Sequence, residues 1–222
     1  MYFSTAFLAL LSTVVYADEL IVKLPHLSID PANRERVLNG AKFFAQKCQS
    51  CHSMTYLRYD EISNQAGVKY GLSPSWSAGA WKGRPPPDLS LVAITKGPDW
   101  VYGYLKSYYK TDHGYQNLVN PNTQMPNPYP ILQGNQVLTM PFENIKKETP
   151  RLFRALRLEK PGSIPAHDFN DKVLDLMHYL VYAADPSVAE RKSLAPYILV
   201  FLLLLSSGTF LLYKSYKKEV DK

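Results

Sequence analysis

Cysteine is nearly absent: the 222 residues contain two, Cys48 and Cys51, separated by a single dipeptide. A disulfide-stapled secreted scaffold needs more cysteines at wider spacing, so that class is excluded. There is also no block of like charge. The net charge is +6, yet no Lys/Arg-rich run accompanies it, so no nucleic-acid footprint is present. No internal repeat and no low-complexity tract occurs. No Ser/His/Asp set or Gly-rich phosphate loop is found, and no independent catalysis is expected. Strand-like alternation does not persist through 69–87 or 114–141. Those stretches are rich in Pro, Gly, Asn and Tyr, a composition of turns and irregular backbone. Long loops in a compact domain point to function or to a large group that supplies the core they lack.

Charge is missing from both ends of the chain, with different meanings. Residues 3–16 form an apolar stretch too short to span a bilayer comfortably, followed by an acceptable small-residue cleavage site at Val15-Tyr16-Ala17. It reads as a signal peptide, residues 1–17, although it lacks the usual positive n-region; an uncleaved N-terminal anchor is the alternative. The charge-free run 194–213 is different. At ~1.5 Å per residue it reaches about 30 Å, the thickness of the hydrocarbon core. Tyr197 and Tyr213 lie near its ends, and Lys214, Lys217 and Lys218 follow. By the positive-inside rule the tail 214–222 is cytoplasmic. Residues 18–193 then form a mildly basic domain on the outer side, tethered by one C-terminal transmembrane helix.

Within that domain the apolar spacing predicts helices. One opens at Asp30-Pro31 and runs through Val37, Gly40, Ala41 and Phe44 into the cysteines. A second opens near Ala166-His167-Asp168, continues through Val173, Leu176, Met177 and Leu180, and stops at Asp185-Pro186. A third, shorter one covers Asp99–Tyr109, after Gly97-Pro98. Gly40 would let another helix approach closely, with the Leu176–Leu180 helix as the expected partner.

Cys48-Gln49-Ser50-Cys51-His52 is C-x-x-C-H, the pattern of covalent haem c attachment. Both thiols must reach the vinyl groups on one porphyrin edge, and the adjacent His52 must offer a ring nitrogen to iron. A thioredoxin-like dithiol would need a strand before it, and zinc would need further ligands at suitable spacing. His26, His113, His167 and His178 are isolated. Iron bound by His52 takes a sixth ligand, or keeps an open site. A Met thioether is the usual choice for electron transfer. Met54 is too close to His52, and Met177 sits in an apolar helical stripe, where core packing is the default. Met125 and Met140 remain, both preceding proline. The stiff, turn-rich loop around Met125 favours it, with Met140 as the alternative.

The order of motifs is more specific than any one of them. Cys48–His52 is followed directly by Ser53-Met54-Thr55-Tyr56-Leu57-Arg58-Tyr59, then Pro86-Pro87-Asp88-Leu89-Ser90, then Gly97-Pro98-Asp99-Trp100-Val101-Tyr102. Asn120–Pro126 and Tyr179–Pro186 come next, and the anchor closes the chain. Over nearly all of the mature length this resembles the bacterial form of the cytochrome c1 family, the haem subunit of the ubiquinol–cytochrome c reductase complex. The resemblance implies a mainly α fold: a class I cytochrome c-like haem domain with long irregular loops, plus the C-terminal transmembrane helix. It implies one covalent haem c on Cys48 and Cys51, with His52 and Met125, rather than Met140, as axial iron ligands. Pro86, Pro87 and Leu89 would pack on the haem and exclude water. The partners implied are cytochrome b, a Rieske iron–sulfur protein as electron donor and a soluble or membrane-bound cytochrome c as acceptor. They would form a dimeric complex in the bacterial inner membrane, with the haem domain in the periplasm.

The chain departs from the family pattern in places. The Arg that usually follows PPDLS and pairs with a haem propionate is missing from Leu91–Lys96, leaving Lys96 or Arg84 as substitutes. Tyr182 and Asp185 stand where Trp and Glu are common, and 67–83 is short. Mitochondrial members attract a basic cytochrome c with an acidic surface, which this mildly basic domain does not repeat. Two rival readings keep the motif: an anchored cytochrome feeding a terminal oxidase or another reductase, and an open-site haem sensor or peroxidase.

Overall fold

The computed structural model of the chain describes residues 21–69 and 85–220. The expected signal peptide and Arg84 lie outside the described residues. Helix α1 spans Arg34–Lys47. It begins later than the sequence predicts, because the side chain of Asn33, and not Asp30, caps it, accepting the Arg36 N–H at 3.2 Å. Asp30 instead accepts the Ala32 N–H at 3.0 Å and folds Pro31 into a turn before the helix. Glu35 in the first turn and Lys47 in the last both suit the helix dipole.

After the cysteine motif, a short 3-10 turn (Thr55–Leu57) leads into α2 (Glu61–Gln65), capped by the Asp60 carboxylate on the Ser63 N–H at 2.7 Å. Helix α3 is Val92–Thr95 and α4 is Pro98–Lys106. Gly97 supplies the turn between them with φ of 84°, a value L-residues avoid. The sequence predicts that this helix continues to Tyr109. It stops at Lys106, and Ser107 closes it, with Oγ donating to the Tyr104 carbonyl at 3.1 Å.

Two antiparallel strand pairs follow, which the sequence does not predict. Strand β1 (Tyr108–Thr111) pairs antiparallel with β2 (Gly114–Asn117). Helix α5 (Pro130–Gln133), strand β3 (Gly134–Leu138), helices α6 (Phe142–Glu148) and α7 (Leu152–Ala155) and strand β4 (Leu156–Pro161) complete the irregular middle. Strand β3 pairs antiparallel with β4, with an irregularity at Asn135/Gln136. These strands are short, and β4 buries only Leu156, so they leave no alternating pattern to read.

Helix α8 (Ala166–Ala184) has the bounds the sequence predicts, and it crosses α1 as expected. A Cβ on Gly40 would stand 2.0 Å from the Asp175 carbonyl oxygen and 2.8 Å from the Tyr179 Cβ. The bare glycine lets the two backbones touch. Around the crossing lies the main core, with Val37, Ala41, Phe44, Met54, Leu176 and Met177 buried. Each of these side chains larger than alanine contributes roughly 1.5–3 kcal/mol of burial. A second cluster holds Val22, Leu118, Ile145 and Leu152 under the strand pairs. Ser63 and Tyr179 join hydroxyls at 3.0 Å across the interior, and Tyr182 hydrogen-bonds the Asp60 carboxylate.

Helix α9 spans Val188–Val220 and contains the whole charge-free run 194–213. Among the described residues it is the one helix long and apolar enough to cross a membrane. No part of its apolar window is covered by the rest of the chain, so its side chains need another apolar medium. The fold is mainly α, with one apolar C-terminal helix that fits a membrane anchor.

Candidate functional site

Cys48 and Cys51 end α1 in a tight turn: the Cys48 N–H bonds the Phe44 carbonyl at 2.8 Å, and the His52 N–H returns to the Cys48 carbonyl at 2.8 Å. Both cysteines and His52 thereby face one cavity of about 520 Å³. That volume is ordinary for a cofactor site.

The segment Pro85–Ser90 is strapped onto the residues after His52. The Leu89 N–H bonds the Ser53 carbonyl at 3.0 Å. Asp88 ties the strap down by accepting from the Ser53 hydroxyl at 2.7 Å, from the Thr55 N–H at 2.9 Å and from the Thr55 hydroxyl. Its other oxygen takes the Ser90 N–H at 2.9 Å. Partial burial opposes a charge on Asp88, but the bonds from Ser53, Ser90 and Thr55 outweigh it and hold the carboxyl at about 2.

The strap orients His52. The Pro87 carbonyl lies 2.8 Å from His52 Nδ1. A carbonyl only accepts, so Nδ1 carries the proton and Nε2 keeps its lone pair for the cavity. Burial lowers the His52 pKa against the smaller opposing effects of Pro87 and Asp88. Burial thus favours the neutral ring, the form that binds a metal.

Met125 lines the same cavity, together with Pro86, Pro87, Leu89 and Lys96. Met140 does not; it packs in the second cluster near Leu138 and Phe142. Met54 and Met177 are fully buried core residues. The Lys96 ammonium sits 5.2 Å from the centre of the Trp100 ring. The sequence reading missed Trp100, Val101, Tyr104 and Leu105 of α4, which also line the cavity. Their spacing puts them on one helical face, a legible signal, but nothing in it distinguishes a cofactor wall from core.

The chemistry of this set fits a haem. Two thiols, a neutral imidazole and a thioether border one cavity whose lining is chiefly apolar. A working dithiol is the poorer fit. A redox-active C-x-x-C depends on a depressed thiol pKa. Burial instead pushes the Cys48 thiol up to about 12, against the smaller opposing effect of the Tyr129 hydroxyl. Among the described residues no cluster of His, Cys, Asp and Glu could hold a bare metal ion.

Comparison with known proteins agrees with this chemistry. The model of the family described as "Cytochrome C1 family" matches residues 73–220, a stretch that begins after the cysteine motif. Cytochrome c1 of Allochromatium vinosum is 31% identical over 236 aligned residues, covering 96% of this chain and 96% of that protein. A Nitrosomonas europaea protein named ammonia monooxygenase gamma subunit is also 31% identical, over 228 residues and 93% of each chain. The family match and the nearly full-length relative show that this chain belongs to the cytochrome c1 family, the haem-carrying, membrane-anchored electron-transfer subunits of the bc1 complex.

Proposed function

We propose that the chain carries one haem c, held by thioether bonds from Cys48 and Cys51, with His52 and Met125 as axial ligands. The observation that carries this reading is the shared cavity of those four residues, with His52 Nδ1 bonded to the Pro87 carbonyl. When bound, the haem supplies a one-electron couple between a Rieske iron–sulfur protein and a c-type cytochrome acceptor. The residues around it do the rest. The Pro87 carbonyl fixes which nitrogen of His52 is available. Pro86, Pro87 and Leu89 exclude water and Met125 supplies a soft sulfur, both of which raise a haem potential. Lys47 and Lys96 both line the cavity, and Lys96 is the candidate partner for a propionate. No nucleophile and no proton transfer are required.

Residues 18–193 would lie in the periplasm and 214–222 in the cytoplasm of a bacterial inner membrane, with cytochrome b beside the 194–213 span and the whole complex dimeric. Lys214, Lys217 and Lys218 support that orientation.

Gentle detergent purification of the full chain tests the assignment. Cytochrome b and a Rieske protein should accompany it, and its red colour should survive acid–acetone extraction. Recovery with a terminal oxidase or a monooxygenase instead would replace the assigned partners. Loss of colour on extraction would remove the covalent haem.

A further inference from the structure

The loop that carries Met125 is held by a closed polar ring, and the ring grips the backbone of Met125 on both sides. Its N–H donates to Thr123 Oγ1 at 3.2 Å, and its carbonyl accepts from the Tyr108 hydroxyl at 3.0 Å. Tyr104 closes the circuit: Tyr108 gives its single proton to the Met125 carbonyl, so Tyr104 donates to Tyr108 at 2.9 Å and accepts from Thr123 Oγ1 at 2.6 Å. Tyr108 is 2% exposed, so its hydroxyl has little water to turn to. Upstream, Asn117 is fully buried and fastens the start of the loop to the end of α4. Its amide donates to the Tyr104 carbonyl at 2.8 Å, and its oxygen accepts the Val119 and Asn120 N–H groups at 3.0 and 2.8 Å.

We propose that Tyr108, Tyr104 and Thr123 are positioning residues that clamp Met125 onto the haem iron. This rests on the reading of Met125 as an axial ligand. None of the three needs to touch iron. They restrict the backbone from which the sulfur reaches, so that ligation does not have to order a free loop at the same time. Two of them come from α4 and the strand after it, so the loop's position is registered against the cavity wall itself.

The test uses the full-length haem-loaded chain and external imidazole as probe. Imidazole binds ferric iron only when Met125 has left it, so its apparent affinity scales with the Met-off fraction. Tyr108→Phe removes both ring hydrogen bonds of that hydroxyl and should tighten imidazole roughly tenfold. The variant should also lower the reduction potential and weaken the deep-red charge-transfer band of sulfur-ligated ferric haem. Thr123→Val should act in the same direction, and Thr123→Ser, which keeps the hydroxyl, should restore wild-type values. Tyr109→Phe is the control, since its hydroxyl bonds Gln116 at 2.8 Å, outside the ring. Unchanged affinity and potential in both Tyr108→Phe and Thr123→Val, with the band abolished by Met125→Leu, overturns the clamp and leaves the ligand standing. A Thr123→Ser variant as impaired as Thr123→Val also overturns it. A band that survives Met125→Leu overturns the ligand assignment, and the clamp with it.

Discussion

The Pro87 carbonyl meets His52 Nδ1 at 2.8 Å, and it can do so because Asp88, the next residue, is bonded to the chain just beyond the histidine. The orientation of the imidazole is thus set by a carboxylate that never touches it.

Replacing that carboxylate should loosen the strap. Asp88→Asn keeps one accepting oxygen and turns its NH2 towards either the Thr55 or the Ser90 N–H, which then lacks an acceptor. A loss of about 1–2 kcal/mol in unfolding free energy is expected. The pH dependence follows from the sign of the shift. The folded carboxyl sits at about 2, below its ordinary range near 4. Its stabilisation is therefore complete above that range and fades as pH falls from about 4 towards 2. Urea titrations across this window should show a decline in the wild type that is reduced in Asp88→Asn. Parallel curves would separate Asp88 from acid sensitivity.

Gly40→Ala tests the helix crossing. Alanine favours an isolated helix by about 1 kcal/mol over glycine. Here its Cβ would stand 2.0 Å from the Asp175 carbonyl oxygen, which is backbone and cannot swing aside. The helices must part, and a net loss of about 3 kcal/mol or more is expected. A thermal midpoint at or above the wild-type value would show that the crossing is not close-packed in solution.

Lys106 is 6% exposed and has aromatic neighbours: its ammonium lies 5.1 Å from the Tyr102 ring centre and 4.9 Å from that of Phe153. It hydrogen-bonds Asn170 and Tyr102. Burial lowers its pKa to about 8. Between about 8 and the ordinary lysine value near 10.4, the unfolded chain keeps a proton that the folded chain has shed, so wild-type stability climbs with pH through that window. Lys106→Met should flatten that climb. The variant should compare most favourably with wild type below pH 8, by about 2 kcal/mol, and lose the advantage by pH 10. A constant difference between the two proteins across this range would contradict the burial effect.

Met125→Leu and Met140→Leu separate the two ligand candidates. The deep-red band should vanish in the first and persist in the second, where the change is confined to an apolar cluster. A volume-conserving swap at Met140 should cost under about 1.5 kcal/mol. The reverse pattern would move the sixth ligand to Met140.

Much of this was legible in the sequence where the signal is local. The C-x-x-C-H motif, the bounds of α8, the Gly40 contact and the apolar run in α9 all depend on spacing within one element. What failed to show depended on neighbours far along the chain. Asn33 and Asp30 are both good caps, and tertiary packing decides between them. Met125 and Met140 both precede proline; loop stiffness and the family resemblance favour Met125 from the sequence, and the fold adds that Met125 shares the cavity with His52 while Met140 packs in the second cluster. Strands β1 to β4 are too short, and their burial alternates too little, to imprint a period of two. Tyr104 and Tyr108 read as two aromatics among many, because a hydroxyl ring closes only when α4, β1 and the loop meet.

Helix α8 ends at Ala184 and α9 begins at Val188, with Asp185, Pro186 and Ser187 between them and Arg191 reaching back to bond Asp185. A joint of three residues gives the domain little slack relative to α9. On the proposed membrane assignment, α9 would set the height of that domain above the lipid, and travel to bring donor and acceptor within tunnelling range would fall to the partners.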